Sequence, residues 1–172
     1  MGEESLAVRI REVPSKAREL IRLHKETYKV FWKWSDASLD FAMLTSKLYT
    51  VFGWTVYVGE KNNPRSLRNF LMQANGAEML RLACILTTEK GIKACAPVHD
   101  AILIEAPLQD LDSAISETQD AMSEASSIIL GGFKLNTDSE IVRYPERYAD
   151  EGGQSMWDRV NRILVERGCH EP

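Results

Sequence analysis

Cysteine is scarce. The three present, Cys84, Cys95 and Cys169, are odd in number and form no CxxC pair, so neither a disulfide framework nor a zinc-site spacing is available. Cys84 and Cys95 read as small apolar residues of the core. Histidine is equally thin: His24, His99 and His170 are too scattered along the chain to suggest a metal cluster. No apolar run approaches the roughly twenty residues that cross a bilayer. Met1 to Arg11 carries two early acids and no apolar leader segment, so a cytoplasmic location without a membrane partner is expected. Glycine (10) and proline (6) are modest beside 44% hydrophobic and 27% charged residues, which excludes disordered and collagen-like chains.

What is present suits one globular unit over residues 1–172, long enough to bury a core unaided. The net charge of −4 hides an asymmetry: the first 93 residues hold 15 Lys+Arg against 10 Asp+Glu, and the remainder 6 against 15. A net of +5 is thus followed by −9, so a polyanion would contact the first half, unless the split is ordinary surface scatter.

Apolar periodicity of 3.6 predicts a helix from Pro14 to about Trp34 and, after a bend, a second from Ser35 to Lys47 that Asp36 would cap. The aromatic stripe of this region reads as core, with His24 a satisfied member of it. Leu48 to Val58, rich in β-branched and aromatic residues and broken by Gly53, reads as a hairpin. A central helix over Ser66 to Lys90 closes at Gly91. Residues 93–105 read as two short strands with His99 and Asp100 at their tip. Leu108 to Leu130 reads as an acidic helix with an apolar stripe of Leu111, Ile115, Met122 and Ile128; Phe133 to Tyr144 as a strand; Ser155 to Arg167 as a terminal helix. The four tryptophans read as packing anchors, and His170 as part of a frayed tail.

Two groups carry chemistry. A carboxylate at a hairpin tip beside a histidine suits a hard divalent ion at a phosphoryl-transfer site, or is simply a polar turn. Arg65, Asn69 and Gln73 stand at i, i+4 and i+8 and share one helical face, with Asn75 nearby. A cation followed by amides could grip a phosphate and read minor-groove acceptors without sequence preference, or could be a solvated polar face.

The run Arg65-Ser-Leu-Arg-Asn-Phe-Leu-Met-Gln-Ala-Asn-Gly-Ala-Glu-Met-Leu-Arg81, followed by Ala96-Pro-Val-His-Asp-Ala-Ile-Leu-Ile-Glu105, resembles the C-terminal half of the polymerase domain of family A DNA polymerases, the bacterial DNA polymerase I family. The second segment is similar to that family's motif C. The resemblance extends through Asn136-Thr-Asp, Val142 to Arg147 and Met156-Trp157. It implies an α+β fold, with a helical part (1–47) and a palm-like part (48–172) whose small antiparallel sheet has helices packed on one face. It further implies that Asp100 is a palm carboxylate for catalytic Mg2+ and that His99 lies against the primer terminus. Arg65 would touch a backbone phosphate, and Asn69 and Gln73 would probe the minor groove. Partners implied are a DNA primer-template and deoxynucleoside triphosphates, with two metal ions about 4 Å apart held by two carboxylates.

The departures are specific. Ala101 stands where motif C usually has an acid. The second metal-binding aspartate, of motif A, has no convincing counterpart; Asp36-Ala-Ser-Leu-Asp40 has a similar look in the wrong place. The triphosphate-binding spacing of motif B is not reproduced by Arg18, Arg22 and Lys25. Met1 would then be an internal methionine of a longer polymerase, and the chain a C-terminal fragment, inactive alone and completed by a second chain carrying motifs A and B. The alternative from the residues is a non-catalytic duplex-DNA-binding module or inactive remnant. A metal hydrolase built on His99 and Asp100 lacks a second ligand cluster. Glu105 could assist near the metal, but alternation from Asp100 does not decide whether it points there.

Overall fold

The computed structural model describes residues 2–59 and 62–168; Met1, Cys169 and His170 lie outside the described residues. The order is α1 (Glu3–Ile10), α2 (Pro14–Thr27), α3 (Lys29–Thr45), β1 (Lys47–Tyr49), β2 (Thr55–Tyr57), α4 (Pro64–Glu89), β3 (Lys93–Val98), β4 (Ala101–Glu105), α5 (Leu111–Ile129) and α6 (Glu151–Glu166). The α+β class is as expected. The antiparallel pairing is divided between two separate hairpins, β1–β2 and β3–β4.

Helix α4 is the spine. Asn63 caps it by accepting from the Arg65 backbone N–H at 2.9 Å, and Pro64 opens it where no amide partner is needed. It ends in a left-handed turn at Gly91 (φ 79°), where the N–H groups of Gly91 and Ile92 return to the Thr88 and Thr87 carbonyls and redirect the chain into β3. α4 packs against α3 and β1 on one side and against β3, β4 and α5 on the other. The apolar cluster at its N-terminal half joins Leu67 to Ala42, Leu48 and Val58, with Phe70, Leu71, Leu39 and Val56 around it.

The α4–α5 seam is built from small side chains: Ala83 and Thr87 on α4, on the face opposite Leu67, and Ala114, Thr118, Ala121 and Ala125 on α5, are buried. The larger α5 residues expected to face inward, Leu111, Ile115 and Met122, are only half-buried, and Ile128 is exposed. Close approach of two helix backbones favours small side chains between them, so alanines make up most of the buried α5 positions and Ile129 is buried only at the helix end.

Several expectations are corrected. The bend between the first long helices falls at Tyr28 (φ −104°, ψ 41°), not after Trp34, and Asp36 lies inside α3 instead of capping a helix. The break is closed by side chains, with the Trp32 Nε1–H donating to His24 Nδ1 at 3.1 Å and the His24 and Tyr28 rings 4.7 Å apart. His24 is therefore satisfied but exposed, and Tyr28, Trp34 and Phe41 are exposed too, so this aromatic stripe is not core. Trp54 and Trp157 are likewise exposed rather than anchored. Cys95 falls at the bulge between Ala94 and Ala96 and faces solvent, while Cys84 is half-buried and its thiol is pushed up by that burial. Residues 133–144 form no strand: the segment lies along α5, its Leu135 N–H donating to Ser126 Oγ and its Thr137 carbonyl accepting from Gln119. Those bonds replace a ladder, for which it has no neighbouring strand. No helix among the described residues is long and apolar enough to cross a membrane.

Candidate nucleic-acid interface

The β3–β4 hairpin pairs Val98 with Ala101, which leaves His99-Asp100 as a two-residue tip. His99 sits in the left-handed region (φ 55°), where glycine is the usual occupant. Holding a β-carbon there costs on the order of 1–3 kcal/mol, an expense concentrated at functional turns. Both tip side chains are exposed.

Arg65, Asn69 and Gln73 are all exposed on α4 and form one row, as their spacing predicts. Asn75 does not join them. Its Oδ1 accepts from the Val51 N–H at 3.1 Å and its amide donates to the Leu71 carbonyl, so it is a fastener of the β1–β2 turn. Beside it lies an acid that the sequence reading passed over. Glu78 is 4% exposed, and its two carboxylate oxygens accept from Thr50 Oγ1 at 2.7 Å and from the Phe52 N–H at 3.2 Å. Thr50 Oγ1 in turn accepts from the Trp54 N–H. Its signal was present: Glu78 stands eleven residues after Leu67 and four after Ala74, in register with the buried stripe.

Asp36 and Arg68 form a second fastener. The Arg68 guanidinium meets Asp36 at 2.6 Å and donates to Ser35 Oγ at 2.9 Å, tying α4 to α3. Asp36 is thereby engaged in the fold. At the open end of the β3–β4 hairpin, the register partners Lys93 and Glu105 make an exposed ion pair at 2.7 Å. The hydrogen bond from Lys93 holds the Glu105 carboxyl below its usual range, and the same bond raises the Lys93 ammonium. Four residues separate Glu105 from Ala101, about 13 Å along a strand, so Glu105 and Asp100 serve opposite ends of the hairpin.

The six residues of β3 cover the axial length of about a dozen helical residues. A strand that turns back at Gly91 and packs on α4 therefore ends level with the middle of that helix, on the side of Gln73 rather than Arg65. Among the described residues no group of three or more His, Cys, Asp or Glu could hold a metal ion. Asp100 offers one carboxylate, so the donor set does not make a complete magnesium site.

The chain matches no protein-family model and no curated protein. Among solved structures it is similar to the POL domain of Pol1 from M. smegmatis, determined in complex with DNA primer-template and dNTP, with a TM-score of 0.65 over 72% of this chain at 17% identity. The fold is polymerase-like. The similarity spans 24% of that structure's chain. Within this polymerase-like fold the long helix and the tip-bearing hairpin are adjacent elements, packed directly on each other.

Proposed function

We infer that this chain is the primer-template-holding portion of a family A DNA polymerase, with α4 and the β3–β4 hairpin as its DNA-facing elements. The observation that carries this reading is the exposed row of Arg65, Asn69 and Gln73 on a helix packed against the hairpin that presents His99 and Asp100. Arg65 engages a backbone phosphate, Asn69 and Gln73 accept and donate at minor-groove edges, and His99 contacts the primer terminus. The solved neighbour's complex with primer-template and dNTP supports DNA and nucleotide as partners.

Asp100 would contribute one carboxylate to a Mg2+ ion. Among the described residues it belongs to no group of three or more His, Cys, Asp or Glu that could hold a metal, so the ion would be completed from elsewhere, such as a second chain. The same absence of a clustered acid favours the second reading, a duplex-DNA-binding module without catalysis of its own.

Duplex binding at varied salt tests the interface. Affinity is expected to fall linearly on log axes, and Arg65→Ala to flatten the slope by about one unit. A slope unchanged by Arg65→Ala would remove the phosphate contact. Primer extension with magnesium and four nucleotides tests the chemistry. No extension is expected from the chain alone, and extension abolished by Asp100→Ala would reveal a second carboxylate within it.

A further inference from the structure

The groove between α1 and α2 lies apart from the α4 row and the hairpin tip. Arg18, Arg22 and Lys25 stand at i, i+4 and i+7 on one face of α2, and Lys29 continues the row past the Tyr28 break. All four line one open groove of about 630 Å3, together with the acids Glu3 and Glu26. Both acids are already engaged, Glu3 with Arg18 at 3.0 Å and Glu26 with Arg22 at 2.7 Å. The four cations exceed the two acids, and among the described residues neither Lys25 nor Lys29 makes an ion pair with a carboxylate. At about 1.5 Å per helical residue the row runs about 16 Å, a length along which a single strand can lay a few successive phosphates.

Aromatic residues that do not line the groove adjoin one of its cations, Lys25. Lys25 Nζ lies 5.1 Å above the Trp32 ring, Trp32 is hydrogen-bonded to His24, and the His24 and Tyr28 rings are 4.7 Å apart. Tyr28 keeps 55% of its surface exposed. A basic groove with aromatic residues beside it suits a strand whose bases are free to stack, whereas a duplex keeps its bases within.

We propose that the α1–α2 groove binds a single strand of nucleic acid, with phosphates on Arg18, Arg22, Lys25 and Lys29 and a base stacked on Tyr28. This contact is independent of the roles given to Arg65 and Asp100. The test is fluorescence anisotropy of a short labelled oligothymidylate titrated with the full chain across salt concentrations, beside a blunt duplex of equal length. The oligothymidylate is expected to bind with a salt-dependent affinity. R22E/K29E should flatten the log–log slope by about 1.4, and Lys29→Ala by about 0.7. Tyr28→Ala should weaken binding about tenfold at every salt concentration with the slope unchanged. R22K/K29R should retain affinity. No binding at low salt overturns the proposal, as does a slope unmoved by either groove variant. A loss confined to Arg65→Ala assigns all nucleic-acid binding to α4, sinking the groove while sparing the α4 reading. Equal affinity for a polyglutamate peptide overturns the assignment to nucleic acid.

Discussion

The two hairpins of this chain solve the same turn problem in opposite ways. The β1–β2 tip uses Gly53 at φ 86° and is then gripped from outside by Glu78 and Asn75, with Thr50 bonding Trp54 across the turn itself. The β3–β4 tip places His99 at φ 55°, and its two residues keep their side chains in solvent. The first tip is held by the fold. The second carries backbone strain and leaves an imidazole and a carboxylate uncommitted, the pattern expected where side chains are reserved for a ligand.

The comparison breaks first at Glu78. Glu78→Ala orphans the buried Thr50 hydroxyl and the partly buried Phe52 amide and should cost roughly 1–3 kcal/mol, read as a lower urea midpoint. Faster hydrogen exchange at the Val51 to Trp54 amides should accompany it. A stability unchanged by this substitution would show the latch to be ornamental. The glycine positions give a paired test of intermediate size. Gly53→Ala should destabilise by about 1–2 kcal/mol, and His99→Gly should stabilise by about 1 kcal/mol, because the same backbone region is filled by opposite residue types. A loss of stability in His99→Gly would mean that the imidazole is anchored after all.

Asp100→Ala should move the urea midpoint by no more than about 0.5 kcal/mol, as befits an exposed tip with no structural partner. A larger loss would make Asp100 a structural residue. The smallest effect is expected at the far end of that hairpin. Glu105 is held low by Lys93, so its share of stability is present above the usual carboxylate range and fades as pH falls through its lowered value. Lys93 is raised, so its share is present below the usual ammonium value and fades as pH rises through the raised one. Near neutral pH both persist. Lys93→Met should return the Glu105 carboxyl titration, followed by carbon NMR, upward to its ordinary range, with no change at the tip.

The elements that the sequence made legible are those with local punctuation. Asn63-Pro64 and Gly91 bound α4, Gly53 splits the first hairpin, and the polar His99-Asp100 pair interrupts the second, so these appear close to where residue chemistry puts them. The Tyr28 break carries no glycine or proline. It depends on a tryptophan reaching back eight residues to a histidine, which periodicity does not register. The α5 seam misled for a related reason: hydrophobic patterning weights Leu, Ile and Met, whereas close helix packing selects alanine. Of the candidate site, the shared face of Arg65, Asn69 and Gln73 and the tip position of Asp100 could be read directly. The separate duties of Asn75, Glu78 and Asp36 could not, because each is defined by a partner 24 to 32 residues distant in sequence.

The tie between Arg68 and the Ser35-Asp36 corner of α3 also acts as an angular key. A helix is a rod that can roll in its bed, and successive residues lie 100° apart around it. Side-chain ends ride about 5–6 Å from the axis, so a roll of only about 10° would sweep them by about 1 Å. By engaging a residue flanked by Arg65 and Asn69, α3 sets the azimuth of the whole exposed row. Alignment at the outward face of α4 is thus governed from a neighbouring helix that bears none of the row's residues.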